Sequence, residues 1–289
     1  LFVCFIMIRR SSRSKLFPYT TLFRSMEAEF GLLGKSLDHS YSKDYFIRKF
    51  HSEGYKNLSY QNFEMQGLDA LPKLIASHPN LKGFNVTHPF KHDILGFVQH
   101  HHKDVVSIGA ANVVALENKN GIQVSVAYNT DWIGFYRAIQ PKLEPQHKNA
   151  LVLGTGGSSK AVAFALEKLG ISYKFVSRNP VGMNQISYDS LNACVFSKYK
   201  IIINCTPIGM FPKVDEKSLI NFQWIGSTHL VFDLIYNPSE TNLLKNARLA
   251  GATTMNGAEM LAIQAEESWK IWQKAHLIPK EAGYSMSVK

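Results

Sequence analysis

The sequence predicts an α/β fold built around a parallel, doubly wound sheet, and three observations carry this prediction. Short apolar runs typical of buried strands alternate with longer segments of helical periodicity from Phe30 onward. A glycine-rich turn at residues 154–157 joins a buried-type strand to a helix, as in parallel α/β sheets. The 289-residue chain is 45% hydrophobic and 19% charged, which suits one large core or two ordinary ones.

The predicted elements of the first half rest on local patterns. Residues 40–50 predict a helix because aromatic side chains recur there at near-helical spacing. Pro89 predicts the start of another helix, since proline is favoured at the first helical position, and Lys91 would then lie at the positive end of its dipole. The other predicted elements are strands at 30–34, within 55–64, and at 83–86, 113–116 and 123–128, and helices at 68–78 and 130–139.

The second half shows a repeated strand–helix pattern. A polar, proline-containing stretch at 141–148 separates it from the first half and predicts a loop. Gly170 closes the helix that follows the glycine-rich turn. The predicted strands are 150–153, 173–177, 201–205 and 230–235, and the predicted helices include 158–169 and 259–272.

Residues 1–25 differ from the rest of the chain, and we expect them to be a non-native leader that ends before Met26. The stretch LFPYTTLFRS resembles the translation of a common sequencing adapter. The apolar run LFVCFIMI is too short to span a bilayer, and its basic residues follow it, which is the wrong order for a signal peptide. Without this leader the net charge falls from +10 to +5, because it carries five basic residues and no acidic one.

The remaining composition narrows the class of partner. A charge of +5 suits small anionic ligands. The sequence has no block of lysine and arginine, so we expect neither a nucleic-acid nor a membrane partner. The cysteines Cys4, Cys194 and Cys205 form neither a disulfide framework nor a zinc-binding spacing. We therefore expect no metal site and a reducing, cytoplasmic location. The histidines at 100–102 are consecutive and do not share a helix face, so they predict a solvated loop.

Gly154, Gly156 and Gly157 predict a dinucleotide-binding site. Glycine lets the backbone turn tightly and approach a pyrophosphate, and the following helix presents free N–H groups to that anion. The next strand ends at Ser177 and Arg178, where NAD sites usually carry a carboxylate for the ribose hydroxyls. An arginine there favours a 2′-phosphate, so the sequence predicts NADP, with a solvated arginine as the alternative.

From Met26 nearly to the C-terminus, the chain resembles the shikimate dehydrogenase family. No single motif is specific, but their order is. The motifs are GKSLDHSYS at 34–42, GFNVTHPFK at 83–91, GAAN at 109–112, YNTD at 128–131, GTGG at 154–157, NCTPIGM at 204–210, DLIYNP at 233–238 and GAEMLAIQ at 257–264.

The resemblance implies the reversible, NADP-dependent reduction of 3-dehydroshikimate to shikimate, on the route to chorismate and the aromatic amino acids. It also implies two domains with a cleft between them. Residues 26–128 and 257–289 would form an α/β substrate domain, and residues 129–256 a Rossmann-like, doubly wound NADP domain. The assembly would be a monomer or a homodimer.

The resemblance also implies roles for individual residues. Lys91 would carry the proton and Asp131 would be its partner; a surface lysine and a helix-capping aspartate are the alternatives. The implied substrate contacts are Ser40, Ser42 and Tyr236 for the carboxylate, where helix capping is the alternative for the serines, and Thr87, Asn112 and Gln264 for the hydroxyls. The implied cofactor contacts are those of the dinucleotide site together with Thr206, Met210 and Gly257.

The chain departs from the family pattern at three positions. Lys43 replaces the proline that usually follows the second serine, and it would change the helix entry or add a cation near the carboxylate. Trp132 replaces the glycine that usually follows the NTD motif, and we expect its ring to pack under the cleft or narrow it. His88 stands where an apolar residue is common, and we interpret it as a structural neighbour of Lys91, not a second base.

Three other functions stay open at this point. A quinate/shikimate dehydrogenase paralogue using NAD or NADP shares the motifs, although Arg178 argues against NAD. A non-catalytic binding protein on the same scaffold is the second, and the intact pair Lys91 and Asp131 argues against it. A secreted glycoprotein is the third, and it rests on the sequon that begins at Asn85 and on the apolar leader.

Overall fold

The computed structural model describes residues 28–37 and 40–276, so the predicted leader lies outside the described residues. Helices flank two six-stranded sheets. The first sheet contains β1 (Ala28–Gly34), β2 (Leu58–Glu64), β3 (Leu81–Val86), β4 (His100–His101), β5 (Val113–Lys119) and β6 (Ile122–Tyr128). The second contains β7 (Asn149–Leu153), β8 (Ser172–Ser177), β9 (Gln185–Ser187), β10 (Ile201–Asn204), β11 (Leu230–Asp233) and β12 (Thr253–Met255). The α-helices are α1 (Tyr41–Ser52), α2 (Leu71–Ser77), α3 (Lys103–Ile108), α4 (Asp131–Ile139), α5 (Gly157–Lys168), α6 (Ala193–Lys198), α7 (Asn242–Leu249) and α8 (Ala258–His276).

The first sheet is mixed, with the strand order β2-β1-β3-β5-β6-β4. Strand β1 pairs in parallel with β2 and β3, whereas β5 pairs antiparallel with both β3 and β6. The β5–β6 hairpin turns through Asn120 and Gly121, both at positive φ, as a two-residue hairpin loop requires. The carboxyl ends of β1 and β3 therefore lie side by side and carry the predicted substrate loops.

The second sheet is entirely parallel, with the order β12-β11-β10-β7-β8-β9. Its central strands β7, β10 and β11 are apolar and almost completely buried, because helices cover both faces. The chain reverses its direction of travel across the sheet between β7 and β10. In such sheets, ligands bind at that switch point, outside the carboxyl ends of the strands.

Helix α8 connects the two halves of the molecule. It starts directly after the second sheet and packs against α4 and against strands β3 and β5 of the first sheet. Trp269 and Trp272 are buried in the aromatic core of the first half, and the Trp272 indole stacks on Phe30 with ring centroids 4.7 Å apart. The final helix thus packs on its own chain. None of the helices in the described ranges has the length and apolarity needed to cross a bilayer.

The structure confirms the predicted α/β class and corrects one element next to the site. The sequence predicted a helix starting at Pro89, but the chain forms a turn there and only then a short 3-10 helix, Asp93–Phe97. The Lys91 carbonyl accepts a hydrogen bond from Ala111 N at 2.7 Å, so it is not free to continue a helical ladder. The argument from a helix dipole at Lys91 was therefore wrong.

Candidate active site

Lys91 and Asp131 form an ion pair, with 2.7 Å between Nζ and Oδ2. Lys91 lies in the turn that follows β3, and Asp131 is the first residue of α4. Their side chains are only 18% and 7% exposed, so water screens the pair weakly. The fold thus brings the predicted pair together between the two sheets. The Asp131 carboxylate binds Lys91 and does not cap the helix.

The side-chain amide of Asn112 contacts the second carboxylate oxygen of Asp131. Its nitrogen faces three acceptors, more than it has hydrogens to donate. Its Nδ2 lies 2.9 Å from Asp131 Oδ1, 2.9 Å from Thr130 Oγ1 and 3.1 Å from Gln264 Oε1. An amide group has only two hydrogens to donate. The longest of the three contacts is to Gln264, so the Gln264 oxygen is the acceptor most easily released to a ligand hydroxyl.

A buried polar network lies behind this cluster. Thr130 Oγ1 lies 3.2 Å from Ser268 Oγ, and Asn85 Nδ2 donates to Ser268 Oγ at 3.0 Å. Tyr60 donates to Asn85 Oδ1 at 2.8 Å. Asn85 is 5% exposed and its amide nitrogen is already hydrogen-bonded, so it is not a surface attachment site for sugar. The structure therefore argues against a sugar site at Asn85, whose side-chain hydrogen bonds brace the end of β3 instead.

Two of the three predicted carboxylate contacts, Ser40 and Ser42, lie at the start of α1, and the third, Tyr236, contacts Tyr41 between them. Ser40 caps this helix and accepts from Ser42 N at 3.3 Å, so the capping alternative also holds. The Ser42 hydroxyl hydrogen-bonds with Tyr60, and burial raises the pKa of that phenol well above its ordinary value. Tyr236, from the loop after β11, reaches across to Tyr41 with ring centroids 6.1 Å apart. Burial raises the pKa of Tyr236, so its hydroxyl stays a neutral donor.

Thr87 lies at the start of the turn that leads from β3 to Lys91. It follows β3 directly, is half-buried, and donates its backbone N–H to Leu33 O at 2.9 Å. A Cβ on Gly34 would lie 2.6 Å from the Thr87 methyl group, so the glycine leaves room for this side chain. The predicted hydroxyl-recognition residue therefore lies on the same edge of the first sheet as the ion pair.

The glycine-rich turn lies against both Lys91 and the loop after β10. Gly154 has a φ of +99°, which favours glycine, and a Cβ there would come 3.0 Å from the Thr206 methyl group. A Cβ on Gly156 would meet no atom within 4 Å, so it would project into the open space at the start of α5. A Cβ on Gly157 would lie 2.9 Å from Lys91 Cβ. These residues fit a bound pyrophosphate at the N-terminus of α5, beside the lysine.

The end of β8 fits a 2′-phosphate. Arg178 is exposed and forms no ion pair with any residue of the described ranges. Ser177 Oγ accepts a hydrogen bond from Asn179 N at 3.2 Å, which shapes the turn around the arginine. Residues 177–188, which include the end of β8 and all of β9, contain no acidic side chain.

The comparisons with known proteins point to one family. Residues 32–114 match the model of the shikimate dehydrogenase substrate binding domain. The shikimate dehydrogenase (NADP(+)) of Caldicellulosiruptor saccharolyticus is 36% identical over 259 residues, which cover 83% of this chain and 90% of that protein. The chain belongs to the shikimate dehydrogenase family.

Solved structures agree with this family assignment. The crystal structure of shikimate dehydrogenase from Aquifex aeolicus has a TM-score of 0.75 at 31% identity, covering 90% of this chain and 97% of that one. The Thermus thermophilus enzyme in complex with NADP(H) and shikimate has a TM-score of 0.74 at 26% identity, covering 86% and 94%.

Other features of this shikimate dehydrogenase family member were not foreseen from the sequence. Ser158 Oγ lies 3.3 Å from Lys91 Nζ, and Thr130 and Ser268 belong to the network behind Asp131. Asp233 is fully buried and accepts from Asn204 Nδ2 at 2.9 Å and from the Thr241 hydroxyl at 2.6 Å. Burial raises the pKa of Asp233 to about 6. The serines and threonines lack a sequence signal because they do not stand out from ordinary polar positions.

Gly257 has a packing role that the sequence did not reveal, whereas Trp132 packs against a neighbouring helix. A Cβ on Gly257 would overlap the Leu234 carbonyl oxygen, so close contact between α8 and the end of β11 explains this glycine. Trp132 packs edge-on against Phe164 of α5, with ring centroids 5.3 Å apart. Met210 and His88 are exposed. No cluster of three metal-binding side chains occurs within residues 28–37 and 40–276, the histidines at 100–102 included.

Proposed function

We propose that this protein catalyses the reversible, NADP-dependent reduction of 3-dehydroshikimate to shikimate. The observation that carries the proposal is the Lys91–Asp131 pair, which is held by Asn112 and adjoins the glycine-rich turn. A proton donor next to a dinucleotide loop is the arrangement that reduction of a carbonyl needs. The names of the relatives, and the NADP(H) and shikimate bound to the Thermus protein, support the same substrate and cofactor.

The mechanism assigns the proton and the charge to Lys91. When bound, NADPH supplies the hydride. Lys91 holds a proton at Nζ that can pass to the developing alkoxide, and its positive charge stabilises that oxygen before the transfer. Asp131 aligns the ammonium through the 2.7 Å contact, and Asn112 holds the carboxylate in turn. In the oxidative direction, the neutral amine accepts the proton from the substrate hydroxyl.

The other polar residues recognise the substrate. We propose that Ser40, Ser42 and Tyr236 donate hydrogen bonds to its carboxylate, since hydroxyl donors without formal charge surround that end of the site. Thr87, Asn112 and Gln264 bind its ring hydroxyls. Lys43 is exposed on α1 and adds a cation to this rim of the protein.

The cofactor residues divide between the two ends of the dinucleotide. We propose that Gly154, Gly156 and Gly157 bind the pyrophosphate, and that Ser177 and Arg178 bind the 2′-phosphate. Thr206, Met210 and Gly257 would then stand near the nicotinamide end. The contact between Thr206 and Gly154 supports this placement, because it puts the loop after β10 next to the pyrophosphate loop.

The domain division and the cellular context are also proposals. Residues 26–128 with 257–289 would form the substrate domain, and residues 129–256 the NADP domain. The return of α8 to the core of the first half supports this division. The free thiols Cys194 and Cys205 are consistent with a reducing cytoplasm, and the assembly would be a monomer or a homodimer.

Steady-state kinetics with shikimate and quinate, each with NADP⁺ and NAD⁺, test the function. We expect the highest kcat/KM for shikimate with NADP⁺. Arg178→Ala should raise the KM for NADP⁺ much more than that for NAD⁺, and Arg248→Ala, an exposed arginine on α7, should change neither. Preference for quinate would replace the proposed substrate, and equal losses in Arg178→Ala would contradict the 2′-phosphate site.

A further inference from the structure

The Lys91 ammonium contacts two different elements. On one side it donates to Asp131 Oδ2 at 2.7 Å, at the start of α4. On the other side it donates to Ser158 Oγ at 3.3 Å, in the first turn of α5. The Asp131 carboxylate attracts the ammonium by its charge, whereas the neutral Ser158 hydroxyl only orients it by a hydrogen bond. The two contacts hold Nζ between the start of α4 and the first turn of α5.

The backbone around Ser158 is shaped for this contact. Gly157 precedes it, and a Cβ at that position would crowd Lys91 Cβ at 2.9 Å. Ala110 also lies here, and it packs with Ala161 and Phe164 of α5 in a small apolar cluster. This cluster holds α3 and α5 together beside the lysine. The Ser158 hydroxyl therefore meets Lys91 across a packed junction and not by chance rotation of an exposed side chain.

We infer that Ser158 is a positioning residue that aims the Lys91 ammonium during proton transfer. The inference rests on the proposed dehydrogenase function and extends it. A hydroxyl that accepts from an ammonium keeps its own proton free, so Ser158 can do this without competing for the lysine proton. Ser158 acts through Lys91, and its loss leaves the substrate contacts at Asn112 and Gln264 in place.

Kinetics of Ser158→Ala test this role. Hydrogen bonds to charged groups are stronger than neutral ones, but this one is long, so we expect kcat to fall only about 5- to 10-fold. The KM for shikimate should stay within about 2-fold, as should that of Ser107→Ala, an exposed serine on α3. Ser158→Thr keeps the hydroxyl and should restore kcat. An unchanged kcat in Ser158→Ala, or a threonine variant as slow as the alanine variant, would overturn the inference.

A double-mutant cycle separates action through Lys91 from an independent cofactor contact. In a Lys91→Met background, Ser158→Ala should cause no further fall in kcat, because the group it positions is gone. If the same fold-loss appears in both backgrounds, Ser158 acts on something else and the inference fails.

Chemical labelling gives a readout that needs no turnover. Reductive methylation of the free protein with formaldehyde and dimethylamine borane, followed by peptide mass spectrometry, measures the reactivity of the Lys91 amine. Ser158→Ala should speed methylation of Lys91 relative to Lys119, an exposed lysine in the β5–β6 hairpin. If the ratio of the Lys91 rate to the Lys119 rate is the same in wild type and in Ser158→Ala, Ser158 does not hold Lys91 and the inference is wrong. If the wild-type protein does not oxidise shikimate, the proposed function fails, while the labelling still decides whether Ser158 holds Lys91.

Discussion

At the scale of single residues, the Asn112 amide organises the site. It is 3% exposed, and its oxygen accepts from Thr130 N at 2.7 Å while its nitrogen faces three acceptors. The side chain can therefore rotate very little, and it transmits that rigidity to Asp131. Gln264 has the weakest of these contacts and is the residue whose oxygen a substrate hydroxyl can engage at least cost.

Gln264→Ala should raise the KM for shikimate about tenfold with little change in kcat, because a substrate hydroxyl then lacks its buried partner. Gln273→Ala is the matched control on the same helix; its side chain donates to Tyr55 Oη at 3.0 Å, in the core of the first half. Steady-state kinetics of both variants measure the difference. If the KM stays at the wild-type value, Gln264 does not contact the substrate.

Individual residues were predicted well where their chemistry is distinctive. The predicted pairing of Lys91 with Asp131 appears in the structure, and Ser40 and Ser42 lie together at the start of α1, where Tyr41 contacts Tyr236. Ser158 and Ser268 were missed, since a serine hydroxyl forms equally good bonds in a helix turn or with water. Its role depends on which neighbour the fold supplies, and the sequence does not contain that distance.

At the scale of elements, the start of α8 is fixed by a close contact. Gly257 N donates to Ile235 O at 3.0 Å, and the missing side chain lets α8 approach the Leu234 carbonyl. The helix then carries Gln264 and Ser268 to the site. The position of two polar side chains at the site therefore depends on one glycine at the helix start.

Gly257→Ala should lower the free energy of unfolding by about 1–3 kcal/mol, because the added methyl group overlaps backbone that cannot move aside. Gly226→Ala is the control, since a Cβ at that glycine meets no atom within 4 Å. Urea denaturation of both variants gives the comparison. Equal stability of the two variants would show that α8 shifts freely and would weaken the packing explanation.

The buried Asp233 carboxyl at the end of β11 should make the free energy of unfolding depend on pH. Burial raises the Asp233 pKa from 3.8 to about 6 in the folded protein. Between these pH values the folded protein keeps a carboxyl proton that the unfolded chain has lost, so its stability falls as pH rises, by about 3 kcal/mol. Asp233→Asn removes this titrating carboxyl, and with it the pH dependence, but keeps the shape of the side chain.

Urea denaturation at several pH values tests the Asp233 assignment. From pH 3.8 to about 6, the wild-type protein should lose about 3 kcal/mol relative to Asp233→Asn. Other titrating groups, such as the buried His147 and His229, are present in both proteins and cancel in the difference. Parallel stability profiles would mean that Asp233 is ionised in the folded state at no cost.

Elements were predicted unevenly for a physical reason. Long, periodic segments such as α5 and α8 and buried strands such as β7 were predicted to within a few residues, because their own side chains determine them. The short strands β9 and β12 and the helices α6 and α7 were not, since tertiary packing stabilises segments this short. The helix predicted to start at Pro89 does not form, because Lys91 O accepts a hydrogen bond from Ala111 N. That bond comes from a segment distant in sequence, so the local pattern could not reveal it.

At the scale of the whole molecule, the two sheets meet where the chemistry is proposed. Helix α4 packs against both α5 and α8, and α8 continues into the core of the first sheet. Lys91 comes from the first sheet, and its partners Asp131 and Ser158 come from helices that pack on the second. The arrangement of the two halves therefore creates the site, and neither half alone contains the full set of contacts.

The central claim is that Lys91 carries the proton, and the kinetics of Lys91→Met test it most directly. Positioned acid–base groups contribute roughly 10²–10⁴-fold to rate, so kcat for shikimate oxidation should fall by about that factor. The KM for shikimate and the Kd for NADP⁺ should stay within a few-fold of wild type, and Lys119→Met, an exposed lysine, should retain full activity. A Lys91→Met enzyme that turns over within a few-fold of wild type would contradict the account.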